Sequence, residues 1–275
     1  GLFAGTNPIF KAYLADVVPS SRLSQFMIYR EAAATLAFVV GPTLGGHLAT
    51  LPCGAAGPLY ATSVAHAAAS AIVALGVEES VKFGPKGGGR AAAHGPDSVR
   101  WGLVWVIFGI SFVYVINQCC ISSFFPLLMH DRFGATPRAI GVLTTKVSLC
   151  CLAFQVLCYK FLHNRLGLER TGALGAVGLC LGIIGFGVEG FPILAASAIY
   201  ALGIATFPAT IPTLLARSVP SSRRGLVLGL DSIVNNLCRV VTPWGLGMLY
   251  ATSPSLCFAA SGAPMLAISA ILLAL

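Results

Sequence analysis

The sequence predicts an all-α membrane protein, a bundle of about nine transmembrane helices, on three observations. The first is composition: 56% of the 275 residues are hydrophobic and only 9% are charged. A soluble domain carries about 25% charged residues, so this chain lacks the charge to cover a water-facing surface. Its mean hydropathy of +0.85 agrees. A soluble enzyme, a disordered chain and a disulfide scaffold are thereby excluded. The second observation is length. Apolar residues gather in runs of roughly 20, enough to cross a hydrocarbon core about 30 Å thick. The third is that lysine and arginine crowd into alternate loops.

In chain order the apolar spans read 1–18, 25–50, 57–76, 101–128, 139–161, 172–189, 191–216, 225–250 and 256–275. The first opens at Gly1 inside an apolar stretch, with no leader pattern before it, and reads as incomplete. The loops are short except for residues 77–100, a polar, Gly-rich, basic stretch that reads as a linker between three spans and six. One set of alternate loops holds Arg22, the linker's Lys82, Lys86, Arg90 and Arg100, then Lys160, Arg165, Arg170, Arg217, Arg223 and Arg224. The other set holds only Arg132 and Arg138. The positive-inside rule puts the first set, linker included, in the cytoplasm. The net charge of +8 is therefore an orientation signal, and nucleic-acid binding is not implied because no basic domain exists. The nine cysteines sit mostly in apolar runs without a C-x-x-C pair. They read as small buried hydrophobes, with no metal or cofactor implied.

The pentapeptide VPSSR occurs at 18–22 and again at 219–223, an offset of 201. At that offset Leu14 falls on Leu215, Pro42 on Pro243 and Gly46 on Gly247. Both copies end a span, pass through a short basic loop and enter a span with proline near its outer end. They run in the same membrane direction, the pattern of parallel repeats in secondary transporters. The simplest reconstruction is two six-helix repeats with the first three helices outside this chain.

Residues 12–22 (AYLADVVPSSR), followed by Gly41-Pro42-Thr43-Leu44-Gly45-Gly46, resemble the fourth and fifth helices of the major facilitator superfamily. The closest likeness is to drug:proton antiporters of the tetracycline-efflux type. Residues 225–247, with Arg239 four before Pro243, resemble that group's eleventh helix. The resemblance spans nearly the whole chain as helices four to twelve. It implies a remainder of the amino-terminal half at 1–76, the cytoplasmic linker at 77–100, and a carboxy-terminal half at 101–275. There are departures. Ala37 stands where the group has glycine, and the loop after the eighth helix keeps only Arg165 and Gly167 of its motif. The group's coupling carboxylates often lie on the first and fourth helices, so proton coupling is not carried over.

Charges inside a membrane are costly and are functional candidates by default. Asp231, Asn235, Arg239 and Thr242 step by four, four and three, so they share one helix face. That face reads as a substrate-contacting or gating surface, or as an internal salt bridge with interhelical hydrogen bonds. Arg30 and Glu31 lie inside the second span and Lys146 inside the fifth; the depths oppose a direct Glu31–Lys146 contact. Asn117, Gln118 and Gln155 add uncharged polar groups. Thr206, Thr210 and Thr213, beside Pro208 and Pro212, either satisfy freed backbone groups or line a cavity. Lys11 shares a face with Asn7 but lies near enough to a helix end to snorkel.

Asp16, Arg22 and Arg165 form a candidate cytoplasmic gate. The resemblance implies that Asp16 pairs with an arginine from the absent helices; the plain reading is a carboxylate near Arg22. Gly41, Pro42, Gly45 and Gly46 read as a helix-bend motif or as close packing. The five histidines are scattered and no phosphate-cradling motif occurs, so neither an enzyme nor an ATP-driven pump is implied. The function expected is secondary transport of a small organic solute by a monomer in the bilayer, with protons as a candidate coupling ion and drug or metabolite efflux as one form. The alternative is a non-transporting membrane sensor or scaffold on the same fold. Lys11, Arg30, Lys146 and Arg239 against Asp16, Glu31 and Asp231 lean toward an anionic or zwitterionic solute.

Overall fold

The computed structural model describes residues 6–19, 22–49, 52, 56–78, 99–220 and 223–275. Its regular elements are all helical, with no strand among the described residues. They run α1 (Thr6–Val17), α2 (Leu23–Ala49), α3 (Ala56–Gly76), α4 (Trp101–Phe133), α5 (Pro137–Leu157) and α6 (Tyr159–Leu166). Then follow α7 (Leu168–Gly187), α8 (Ile193–Thr206), α9 (Thr210–Ser218), α10 (Arg224–Thr252), α11 (Pro254–Gly262) and α12 (Pro264–Ala274). Seven described stretches, the earliest at Leu59–Gly76 and the last at Pro254–Ala274, are long and apolar enough to cross a membrane. α1 and α2 occupy the first two predicted spans. Most of the linker, residues 79–98, lies outside the described residues.

Two predicted spans are each two helices end to end, and a third, 139–161, runs at its end into a further short helix. α8 gives way to α9 at Phe207–Ala209, where Pro208 has no N–H to offer. α11 gives way to α12 at Ala263, directly before Pro264. The break between α5 and α6 at Cys158 has no proline to account for it. α4 runs to Phe133, past the predicted end at 128, because Asp131 and Arg132 sit at its exposed tip. Gly134 then closes it in the left-handed conformation, φ 58°, giving its N–H to the His130 carbonyl, while the Ala135 N–H reaches the Met129 carbonyl.

The main core lies among α4 and α7–α12, with Ile107, Leu128, Leu179, Ile183, Phe207 and Phe258 fully buried. α7 approaches α8 and α9 along a glycine seam. A Cβ on Gly182 would fall 2.6 Å from the Tyr200 backbone, and one on Gly175 2.9 Å from the Phe207 nitrogen. In lipid, where apolar faces gain nothing from leaving the solvent, such close approach is what holds helices together.

The end of the bundle carrying Arg22, Lys160, Arg165, Arg217 and Arg223, here the basic-loop end, is packed differently from the other. α2 buries Leu23, Ser24, Met27, Ile28 and Ala32, all in its first ten residues, while Leu36, Val40 and Leu44 beyond them are exposed. Among the described side chains of α5, Cys151 and Gln155 are the buried ones, again toward the basic-loop end. α1–α3 and α4–α12 thus meet at that end. α3 packs on α2, and none of its described side chains is buried.

Candidate functional site

The polar stripe on α10 forms as one face. Asp231 is buried at its start, and the Asn235 amide donates to Asp231 Oδ2 at 3.1 Å. Across the helix pair, Ser111 Oγ of α4 donates to Asn235 Oδ1 at 3.0 Å. The second carboxylate oxygen of Asp231, Oδ1, is buried without a hydrogen-bond partner among the described residues. Further along, Thr242 is buried against Cys238, with their Oγ1 and Sγ 3.1 Å apart. Arg239 is exposed.

Other elements bring charge to this face. Lys11 of α1 lies within electrostatic reach of Asp231, Glu31, Arg30 and Arg239. Tyr114 of α4 senses Glu31, Arg239, Arg30 and, on α5, Cys151. Lys11, Glu31 and Asp231 each sit six to eight residues from the basic-loop end of their helices, a common depth of about 10 Å. Arg30 and Glu31 pair with each other, and Thr35 Oγ1 donates to the Glu31 carbonyl at 2.9 Å. Five elements, α1, α2, α4, α5 and α10, therefore converge on one polar centre.

A second polar group lies deeper in α4–α12. Gln118 Nε2 donates to the Tyr200 hydroxyl at 3.0 Å, and that hydroxyl donates to Asn117 Oδ1 at 3.3 Å. Asn117 is fully buried and its Nδ2 has no partner among the described residues. Gln155 is buried on α5, with Oε1 likewise unpartnered. Lys146 is exposed on α5 and joins neither group. Thr206 and Thr213 turn back onto the carbonyls of Leu202 and Ala209, at 2.9 and 2.6 Å, and are buried. They satisfy local backbone and do not line an open cavity. Ser111, Tyr114 and Tyr200 were not singled out from the sequence. Ser111, Tyr114 and Gln118 do recur at helical spacing, three then four residues apart, which was a readable signal.

The basic-loop end closes beneath this centre. Ala15, Leu23, Met27, Ile28, Tyr159, Ala209 and Ala216 form one buried cluster drawn from both groups of helices. The buried Arg224 guanidinium donates from Nη1 to the Ala15 carbonyl at 2.7 Å and from Nε to the Ala216 carbonyl at 3.1 Å. Asp16 lies within electrostatic reach of this Arg224. Arg22 is exposed, and Arg165 stacks its guanidinium over Phe161 at 5.2 Å. Ser24 Oγ and His163 Nε2 lie 2.9 Å apart, a further link between α2 and α6. Burial, reinforced by Arg217 and opposed by Glu169, holds the His163 imidazole below the ordinary histidine range. Gly41, Pro42, Gly45 and Gly46 run within α2. Gly41 has open space around it, while the side chains at 42, 45 and 46 lie outside the described residues. Among the described residues no cluster of His, Cys, Asp and Glu has the makings of a metal site.

The sequence model of the Major Facilitator Superfamily matches residues 106–275. Multidrug resistance protein 2 of Bacillus subtilis is 25% identical over 254 residues, covering 88% of this chain and 62% of its own length. The human Hippocampus abundant transcript 1 protein is 26% identical over 276 residues, covering 91% of this chain and 53% of its own. The chain thus spans between half and two thirds of the length of these relatives. Among solved structures, the human organic anion transporter MFSD10 (TETRAN) aligns with a TM-score of 0.75 at 18% identity. That alignment covers 96% of this chain and 67% of the other, a likeness of fold.

Proposed function

The chain belongs to the Major Facilitator Superfamily, and on that premise we propose that it carries most of a secondary transporter for a small organic solute. The observation that carries this reading is the polar centre formed where α1 and α2 meet α4, α5 and α10. Buried Asp231 keeps one unpartnered oxygen there, and Arg239 stands exposed on the same face. A structural salt bridge would join the two charges of such a stripe. Here Asp231 bonds to Asn235 and Thr242 to Cys238, while Arg239 between them makes no ion pair among the described residues and is available to a ligand. Lys11, Arg30 and Arg239 against Glu31 and Asp231 favour an anionic or zwitterionic solute. The likeness to a multidrug resistance protein of Bacillus subtilis supports a drug-like solute, with efflux as the direction proposed here.

In this reading the protein works by alternating access. The buried cluster under the centre, with Arg224 and the Ser24–His163 contact, is the closed gate, and the exposed outer part of α2 borders the open side. Asp16 serves the gate by holding Arg224. Arg22 and Arg165 serve it at the surface, and Gly41, Pro42, Gly45 and Gly46 let α2 bend as the gate exchanges. The basic loops then face the cytoplasm.

Solute flux into proteoliposomes carrying the protein, with and without a pH gradient, tests both transport and coupling. Arg239→Ala is expected to abolish flux while the protein still inserts in the membrane at wild-type levels. Unchanged flux in that variant overturns the site. Inertness of the wild type toward a broad panel of charged solutes turns the reading to a membrane sensor or scaffold.

A further inference from the structure

At the basic-loop end, outside the polar centre, a crevice of about 570 Å³ opens between the start of α2 and α6. It is lined by Arg22, Gln25, Phe26 and Tyr29 on one side and by Lys160 and Asn164 on the other. None of the described residues lining it is acidic. Neither Arg22 nor Lys160 takes part in an ion pair among the described residues. Two uncompensated cations facing one cavity raise the local concentration of anions there. Gln25 is committed to Tyr29, its Nε2 donating to the phenol oxygen at 2.6 Å, and Asn164 adds an uncharged amide to the lining.

The wall between the cations is aromatic. Phe26 and Tyr29 meet edge to face with ring centroids 6.0 Å apart, and remain 39% and 47% exposed. From them an exposed apolar stripe continues along α2 through Ala33, Leu36 and Val40, at spacings of three and four. A cationic head on an aromatic collar with an apolar track leading into the membrane matches an anionic phospholipid. The phosphate sits with Arg22 and Lys160, and the acyl chains lie on the stripe. Aromatic rings belong at this depth of a bilayer, and basic pockets between helices recognise anionic headgroups. Inorganic phosphate offers the same oxyanion but leaves the aromatic wall and the stripe without a partner.

We propose that this crevice binds the phosphate of an anionic membrane phospholipid, which bridges α2 and α6 across the seam between α1–α3 and α4–α12. The lipid lies beside the Ser24–His163 contact and strengthens the packed end of the bundle.

The test uses the full chain in nanodiscs of phosphatidylcholine alone and of phosphatidylcholine with phosphatidylglycerol. Lipid retained after partial delipidation is read by native mass spectrometry, and stability by thermal melting. The wild type is expected to retain phosphatidylglycerol selectively and to melt higher in its presence. Each of Arg22→Gln and Lys160→Gln weakens retention about fivefold, and the double variant about thirtyfold. Arg170→Gln, at the same end but outside the crevice, leaves retention unchanged. Both cations lie at the surface, so the single variants are expected to fold, and a normal melt in phosphatidylcholine verifies it. Equal retention of the two lipids by the wild type overturns the proposal. So does undiminished selectivity in the double variant. Inorganic phosphate at millimolar concentration that raises the melt in phosphatidylcholine alone, and does so less in the double variant, overturns the lipid as occupant and leaves a soluble anion.

Discussion

α7 with α8 and α9, and α2 with α3, are equally apolar to the eye, yet they are held in opposite ways. Along α7 a glycine or alanine meets its neighbour at nearly every turn, and a Cβ on Gly182 or Gly203 would enter the partner helix's backbone. Along α3 no described side chain is buried. Close approach is confined to its start, where a Cβ on Gly57 would fall 2.6 Å from the Leu48 carbonyl oxygen of α2, while added Cβ atoms at Gly41 of α2 and Gly76 of α3 would meet nothing. Hydrophobicity therefore puts a helix in the membrane but does not pair it. Small residues that let backbones touch, and polar groups that find partners, do the pairing.

The largest expected break in this contrast is Gly182→Val. It forces methyl groups into the Tyr200 backbone and is expected to cost about 3 kcal/mol, read as a lower melting temperature and loss of monodisperse protein. Ala68→Val on the exposed α3 is expected to change stability by less than about 0.5 kcal/mol.

Two arginines sharpen the comparison next. Arg132 donates to the carbonyls of Phe186 and Gly187 at 3.1 and 2.8 Å, stapling α4 to the end of α7. Arg132→Ala is expected to destabilise by about 2 kcal/mol. Arg224→Ala releases Ala15 and Ala216, so its loss falls on the seam between the two groups of helices. A cysteine pair reports it, because a Cβ on Gly225 would lie 4.0 Å from the Ala12 Cβ, within disulfide range. Ala12→Cys with Gly225→Cys is expected to crosslink under mild oxidation, and adding Arg224→Ala to lower the yield severalfold.

The smallest effect is pH. The folded chain holds His163 below its unfolded value of about 6.5, so the unfolded chain binds more protons. Stability at the seam is present above that value and declines as the pH falls below it. Thermal melts between pH 7.5 and 5 are expected to fall further for the wild type than for His163→Gln. Parallel curves would remove His163 from the seam's acid response.

Much of this was legible beforehand. The order of spans and the shared face of Asp231, Asn235 and Thr242 follow from hydropathy and a period of 3.6, and Pro208 and Pro212 marked where backbone groups are freed, though 191–216 read as one span. The break at Cys158 was not legible, since no proline marks it. Nor was the bridge from Arg224 to Ala15. That arginine read as one more basic loop residue, and only the neighbouring helix ends show that its guanidinium is buried. Lys146 is a lysine in an apolar span, and its side chain is exposed on α5 and joins neither polar group.

The sequence by itself determined that the chain lives in lipid, the order of its apolar spans, and which residues of each share a face. Tertiary structure decided which faces meet: Ser111 with Asn235, Arg224 with Ala15, Asn117 and Gln118 with Tyr200. The reason is physical. Periodicity is set by backbone geometry within one helix, whereas the rotation and pairing of helices in a membrane depend on how closely two particular backbones can approach. That approach is a property of two surfaces together, and neither helix carries it alone.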